Sequence, residues 1–285
     1  MRLIFIKIYY QDKYVRLIQG DCLEIMDELI EEGIKFDAII TDPPYGTTQC
    51  KWDCIIPLDA MWERINKLKY DNTPVLLFGT EPFSTILRIS NIKEYKYDWI
   101  IKKSKPNGFL NAKKMPLKAT ENICVFYKSQ STYNPQGLIK IDKIIKNTGT
   151  KSRKNLKENG DITSAHNTIN RDCYKQEFTN YPINIIECSN GSPKSLHPTQ
   201  KPLDVIEYLI KTYTNENDLI LDFTCGSGTT LVAAQNLNRR CIGIELEEKY
   251  CEVAKNRLEK NLLHICNMKN EENKSNNDKN EVTNL

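Results

Sequence analysis

No apolar run in this sequence reaches the ~18–20 residues that a membrane span needs, and no secretory leader is visible. Met1–Ile6 is largely apolar, but Lys7 interrupts it and Gln11, Asp12 and Lys13 follow. A soluble protein of the cytoplasm, with no membrane partner, is expected. The scaffold for a structural metal is missing too. The ten cysteines are scattered, and although Cys50 and Cys54 lie near each other, no second close pair completes a four-ligand zinc pattern. No metal is expected, and the thiols read as small buried side chains in a reducing compartment. Nor is there a large excess of one charge: the net charge over 285 residues is only +3. Its distribution is uneven. Residues 96–160 carry fifteen Lys or Arg against Asp98, Glu121, Asp142 and Glu158, a net +11 that leaves the rest at −8. A basic middle in an acidic frame suits a polyanion-binding face, although a solvated lysine-rich loop would look the same on charge alone.

What is present is an alternation of short apolar strands with helical patterns, on a hydrophobic content of 40% that allows a sizeable core. Residues 14–18 read as a strand before Gly20-Asp21, and Leu23, Met26, Leu29 and Ile30 then repeat at helical spacing. Strands follow at Phe36–Ile40 and Val75–Gly79, with a helix from about Pro82. Tyr97–Ile101 and Ile123–Tyr127 read as two more strands, separated by a basic loop containing Lys105-Pro106-Asn107-Gly108. From about 129 to 195 the periodicity dissolves into Asn, Thr, Ser and Lys with scattered aromatics at Tyr133, Tyr174, Phe178 and Tyr181. That length exceeds an ordinary connection inside a compact domain, so an inserted region is expected. Order returns with a helix bearing Val205, Ile206, Leu209, Ile210 and Tyr213, a strand at Leu219–Asp222, and a helix at Leu231–Leu237. A strand at Cys241–Glu245 leads to a helix from Glu247 to about Leu263, with Tyr250, Val253, Ala254 and Leu258 inward. Beyond Asn267 almost nothing is apolar, and disorder is expected. The fold class is α/β, with a doubly wound, mostly parallel sheet.

Two constellations carry chemistry. Between Leu219 and Glu245 a buried strand ends in a glycine-rich turn that opens a helix, and an acidic residue closes the next strand. Gly226 and Gly228 let the backbone approach a ligand, and Glu245 is placed to accept hydrogen bonds from ribose hydroxyls. A turn without a ligand would use the same residues. A dinucleotide site is disfavoured, because Leu231 stands where its third glycine belongs, and the Lys-Ser/Thr of a phosphate-binding loop is absent. The second constellation is Thr41-Asp42-Pro43-Pro44-Tyr45, at the end of another buried strand. Pro43 and Pro44 stiffen the backbone and remove two N–H donors. What remains is a carboxylate, outward carbonyls and an aromatic ring, which together suit an amino group on a planar base. Two acceptors that hold its protons favour a pyramidal nitrogen whose lone pair faces an incoming methyl group.

With His197-Pro198-Thr199-Gln200-Lys201-Pro202 as a third motif, the sequence resembles the amino-methyltransferases of bacterial restriction–modification systems and phages. The catalytic motif precedes the cofactor motif, which is similar to the beta order of that family. The resemblance covers about Tyr14 to Leu263, excluding most of 129–195. It implies the S-adenosylmethionine-dependent methyltransferase fold with an inserted target-recognition region. The expected divisions are 1–128, the catalytic half; 129–195, target recognition; 196–266, the cofactor-binding half; and 267–285, a disordered tail. It further implies methyl transfer from S-adenosylmethionine to the exocyclic amino group of adenine in double-stranded DNA, after base flipping. Asp42 and the Pro43 carbonyl would hold the amino group, with Pro44 bracing the loop and Tyr45 stacking on the flipped base. Asp222, Phe223, Thr224, Gly226, Gly228, Thr229 and Glu245 would bind the cofactor, with Thr199 and Lys201 near its methionine end. Asp21 is a candidate partner for the cofactor's adenine amino group, and equally a helix N-cap. One departure stands out. The usual family turn is Asp-Pro-Phe-x-Gly-Ser-Gly, and Phe223 and Thr224 occupy the Pro and Phe positions here.

Lys102, Lys103, Lys105, Lys113 and Lys114 are candidates for contacts to the DNA backbone. A homodimer and a cognate restriction endonuclease are both compatible with the resemblance. The rivals are a cytosine-N4 methyltransferase, whose subgroup more often has Ser in place of Asp42; an enzyme acting on RNA or protein, with Asn before the two prolines; and a catalytically inactive DNA-binding relative. No Pro-Cys nucleophile motif of a cytosine ring-carbon methyltransferase is seen.

Overall fold

Ala38-Ile39-Ile40-Thr41 and Val75–Gly79 are buried at every position, the pattern of strands covered on both faces rather than one. A computed structural model, which describes residues 7–46, 54–147, 174–188 and 201–282, shows how they are covered. The chain divides into two units, one of Met1–Asn134 with Asn184–Leu285 and the other of Pro135–Ile183.

The larger unit begins β1 (Lys7–Gln11), β2 (Val15–Gln19), α1 (Cys22–Glu31), β3 (Ala38–Thr41), α2 (Leu58–Leu68), β4 (Val75–Gly79) and α3 (Phe83–Ser90). β5 (Tyr95–Asn107) and β6 (Lys118–Phe126) follow. The smaller unit contains β7 (Ile139–Asn147) and β8 (Tyr174–Thr179), an antiparallel pair. The larger unit then resumes with β9 (Ile185–Cys188), α4 (Leu203–Tyr213), β10 (Leu219–Asp222), α5 (Thr229–Asn236), β11 (Arg240–Glu245) and α6 (Glu248–Val282).

Nine strands form one sheet in the order β1-β2-β11-β10-β3-β4-β6-β5-β9. Only β1 and β6 run against the rest. Alternation sorts the strand residues to two faces. Ala38, Ile40, Leu76 and Phe78 pack with Val205, Leu209, Leu231 and Leu258 of α4, α5 and α6. Ile39, Leu77, Leu221 and Ile244 pack with Met26, Met61, Ile65 and Leu87 of α1, α2 and α3. A one-residue slip would exchange the two sets, so the register is firmly fixed.

Several sequence expectations need correction. Lys105-Pro106-Asn107, read as loop, lies within β5. Pairing with β6 shifts between Lys102 and Asn107, which is where a proline without an N–H is tolerated. Tyr133 and Ile185–Cys188, placed by sequence in the inserted region, belong to the larger unit: the Tyr133 ring packs on Tyr213, and β9 pairs in parallel with β5. The smaller unit is accordingly narrower than 129–195. α6 continues to Val282 through the polar stretch expected to be disordered. Scarce apolar residues signal lack of burial, but Lys and Glu are good helix formers. β1 and α2 have no counterpart in the sequence reading.

Candidate active site

The parallel strands bring their carboxyl ends to one edge of the sheet, where open α/β sheets bind ligands. A cavity of about 780 Å³ opens there. Its wall takes Asp21 after β2, Asp42 after β3, Thr80 after β4, Asp222 at the end of β10 and Glu245 at the end of β11. β5 and β6 reach the same edge with Lys103 and Glu121.

Because β3 and β10 are direct neighbours, the two sequence motifs, some 180 residues apart, are tied together by side chains. Thr41 Oγ1 donates to Asp222 Oδ1 at 2.8 Å and lies 2.6 Å from Thr224 Oγ1. Thr224 Oγ1 in turn donates to the Asp42 carbonyl at 3.1 Å. Thr224, one of the two residues that depart from the usual family turn, is thus the clasp between the two motifs. Burial raises the Asp222 carboxyl to about 6, with the Thr41 and Thr230 hydroxyls holding it from rising further.

Asp42 sits in a chain of alternating charges. Lys201 Nζ donates to Asp42 Oδ2 at 2.5 Å and lies 3.0 Å from Glu121 Oε1, while Lys103 Nζ lies 3.1 Å from Glu121 Oε2. The Tyr45 hydroxyl donates to Asp42 Oδ1 and also reaches Glu121 Oε1 at 3.3 Å. Burial pushes the Asp42 carboxyl above its ordinary range, Lys201 opposing and Glu121 adding to the rise. Glu121 is buried as well, yet Lys201 and Lys103 hold it below the usual range. Lys201 stays a strong cation, since Asp42 and Glu121 outweigh its burial. The ammonium also sits 5.2 Å from the Phe78 ring centroid and 5.8 Å from that of Tyr45. The Tyr45 ring packs against Phe83 at 5.2 Å.

On the other side of the cavity, Glu245 accepts from Gly226 N at 2.9 Å and from Glu247 N at 2.8 Å, which fixes its carboxylate at the strand end. Burial raises its pKa. Asp21 lines the cavity and caps α1, accepting from Leu23 N and Glu24 N through a single oxygen, Oδ1. Both roles anticipated for it are therefore compatible. Arg257 of α6 donates to Ser227 Oγ at 3.0 Å and Thr229 Oγ1 at 3.1 Å, pinning the glycine turn. The carboxylate of Glu245, the open space beside Gly226 and the cavity's volume fit a nucleoside-bearing cofactor such as S-adenosylmethionine.

Most sequence-derived site residues converge on this cavity: Asp42, Pro43, Pro44, Tyr45, Asp222, Phe223, Thr224, Gly226, Thr229, Glu245, Lys201 and Asp21 all line it. Gly228 does not. Its φ of +75° and the Ala254 Cβ, 2.9 Å from where a side chain would begin, require glycine for the turn and for packing on α6. Phe223 is almost wholly buried in the sheet core, so it presents little surface to a ligand. Thr199, with His197, Pro198 and Gln200, lies outside the described residues. Lys201 faces the Asp42 carboxylate.

The candidate lysines separate. Consecutive strand residues point to opposite faces, and Lys103 turns in to Glu121 while Lys102 pairs at the surface with Glu187 at 2.8 Å. Lys105, Lys113 and Lys114 are exposed. Sequence reasoning quoted Thr41 in its motif without giving it a role, and it missed the parts played by Glu121 and Arg257. Glu121 gave one signal, an acid interrupting an otherwise basic stretch just before an apolar strand. Among the described residues, no group of His, Cys, Asp and Glu could hold a metal ion, and no helix is long and apolar enough to cross a membrane.

The chain is similar to known DNA-modifying enzymes. The Type II methyltransferase M1.MboII of Moraxella bovis is 27% identical over 251 residues, 82% of this chain and 93% of that protein. A crystal structure of an M1.HpyAVI–S-adenosylmethionine complex aligns with a TM-score of 0.58 at 26% identity, covering 86% of this chain and 100% of that one. The PvuII cytosine-N4-specific DNA methyltransferase shares the fold, with a TM-score of 0.61 at 16% identity and 89% coverage of both chains. The N6/N4 DNA methylase family matches residues 36–256, from the bridge residue before β3 through the first turns of α6. That span takes in both motifs and most of the residues that line the cavity, and the chain belongs to this family.

Proposed function

We propose that this DNA methyltransferase acts on the exocyclic amino group of adenine in duplex DNA, with Asp42 as the residue that holds the amino group. S-adenosylmethionine is its cofactor and supplies an electrophilic methyl group on a sulfonium. The observation that carries the adenine reading is the Asp42 carboxylate at the end of β3, followed by Pro43 and Pro44 and accepting from the Tyr45 hydroxyl and the Lys201 ammonium.

The residues divide the work. Glu245 takes the ribose, the backbone at Gly226 approaches the cofactor, and Asp21 accepts from its adenine amino group. Asp42 and the Pro43 carbonyl accept the amino protons of the target, which turns the nitrogen lone pair toward the methyl group. The Tyr45 ring carries the flipped base, since a base inside the duplex cannot reach a pocket at the strand ends. Glu121 gives Lys201 a second carboxylate. Asp42 can therefore release the ammonium and take the amino group without stranding a buried positive charge. Catalysis is then mainly positioning and charge complementarity for in-line transfer. Lys102, Lys105, Lys113 and Lys114 follow the phosphate backbone, Lys103 serving Glu121 instead. The smaller unit, with its β7–β8 pair, carries sequence readout.

Methylation-sensitive sequencing of DNA from cells expressing the protein tests this reading, because it identifies base and sequence context together. N6-methyladenine at one sequence is expected with the unaltered protein and none with Asp42→Ala, which keeps cofactor affinity within a few-fold. N4-methylcytosine instead, or undiminished methylation by the alanine variant, overturns it.

A further inference from the structure

The turn that joins β5 to β6 exposes apolar side chains in sequence: Phe109 is 71% exposed and Leu110 fully exposed, with Met115 at 59%. Single exposed apolar residues are ordinary, but two adjacent ones at the tip of a structured turn are not. The turn holds its own shape. Gly108 takes φ +95°, Phe109–Asn111 forms a 3-10 turn, and Asn111 N, Ala112 N and Lys114 N donate to Gly108 O, Phe109 O and Asn111 O at 2.9, 3.1 and 2.8 Å. Lys113 and Lys114 stand exposed beside the tip. At its base Asn107 pairs with Lys118, and both line the cavity that holds Asp42 and Tyr45.

An apolar knob flanked by cations, on a turn whose base lines the cavity, matches a duplex from which one base has been withdrawn. The gap between the neighbouring base pairs is apolar and the phosphates around it are anionic. We propose that Leu110, supported by Phe109, is a wedge that enters the base stack beside the target and holds open the gap the flipped base leaves. This rests on the proposed function. Apolar side chains that part a base step offset the cost of unstacking, which is least where the base is already unpaired. A second copy of the chain is a poorer occupant: a stable interface buries about 800 Å² per partner, far beyond a two-residue tip.

The test uses the full chain and two duplexes carrying the mapped site, one with the target adenine opposite thymine and one with it opposite an abasic position. In Leu110→Asn, kcat/KM on the paired duplex should fall roughly 10- to 100-fold, as expected when unstacking is no longer offset. On the abasic duplex it should stay within about 3-fold of the unaltered protein. Leu110→Met should retain most activity on both, and calorimetry should show unchanged cofactor affinity in each variant, the side chain being fully exposed. Equal losses on the two duplexes, an unchanged kcat/KM on the paired one, or a loss that tracks a change of oligomeric state in sedimentation each overturns the wedge. Absence of methyl transfer by the unaltered protein to either duplex instead overturns the proposed function, and the wedge with it.

Discussion

Replacing Glu121 by Gln preserves the shape of the site and removes one of two carboxylates from a cluster that also holds two lysines. Glu121 is only 4% exposed and lies 3.0 Å from Lys201 and 3.1 Å from Lys103. At about 3 Å and an effective dielectric near ~20, each attraction is worth about 5 kcal/mol before the carboxylate's own desolvation is subtracted. Breaking one side of a buried ion pair typically costs about 3–5 kcal/mol in net stability. Removing Glu121 takes away one of the two carboxylates that raise the Lys201 pKa against its burial, so that pKa drops. The sign is then fixed. In the unaltered protein Lys201 is held above the ordinary lysine value and stays charged throughout the usual assay range. In the variant its deprotonation moves down, so an alkaline limb enters the kcat profile. Glu121 titrates below its ordinary value, so the stability it contributes is present above that value and is lost as pH falls through the lowered one. Urea denaturation should therefore show the stability gap between the two proteins at neutral pH and its shrinkage in acid, alongside the shifted pH–rate profile. A Gln variant with an unmoved profile and a stability loss under about 1 kcal/mol would refute this account of the cluster.

Tyr45→Ala should raise KM by removing the stacking surface, worth about 1–3 kcal/mol per base. Tyr45→Phe keeps the ring and loses only the hydroxyl held by Asp42, so its loss should fall on kcat; equal KM effects in the two variants would contradict the division. Gly226→Ala meets no protein atom and should weaken cofactor binding in calorimetry, with a stability cost limited to its φ of +53°. Gly228→Ala runs into Ala254 and should lower thermal stability more; the reverse ranking would move the cofactor's approach to Gly228. Replacing Lys113 and Lys114 by Gln should make the log–log salt dependence of DNA binding shallower by up to about two units, whereas Lys103→Gln should leave it alone and alter the pH–rate profile. Asp222, raised to about 6 in the folded state, binds its proton more tightly there than in the unfolded chain. Stability should fall by up to about 3 kcal/mol as pH rises from about 4 to 6, and a pH series on Asp222→Asn that keeps the slope would assign it elsewhere.

The parts of the fold that sequence made legible are those whose burial leaves a periodic trace. Val205, Ile206, Leu209, Ile210 and Tyr213 repeat at helical spacing because α4 has one covered face, and all five are buried. α6 shows the limit of the method: helical spacing placed Tyr250, Val253, Ala254 and Leu258 inward, yet Tyr250 and Val253 are only half-buried while Cys251, outside that set, is wholly buried. β1 escaped because it is an edge strand with an exposed and half-buried pattern, and β9 because four residues in a polar surrounding do not establish a period. The 129–195 boundary was too wide for the same reason, since pairing of β9 with β5 is a long-range contact that local composition does not record.

The site was legible in a different way. Asp42, Tyr45, Gly226 and Glu245 sit beside glycines, prolines or strand ends whose backbone chemistry is visible in the residue letters. Glu121 and Arg257 act through side chains delivered from elements with no such punctuation. What joins the legible and illegible parts is strand order. β3 and β10 are neighbours only because β10 crosses back from the far end of the chain, and their parallel register sets Ile39 opposite Leu221. Two residues further along β3 and one further along β10, Thr41 and Asp222 then fall within a hydrogen bond of one another. Once that pair is fixed, Thr224 reaches the Asp42 carbonyl, and the Asp42-Pro43-Pro44 loop cannot shift without moving the glycine turn. A sequence insertion of any length between the two motifs leaves this geometry intact, provided it leaves the sheet at strand edges and returns there. Residues 135–183 leave after β6 and return at β9, neither of which borders the β3–β10 seam, which is why so large an interruption can coexist with a fixed Thr41–Asp222 pair.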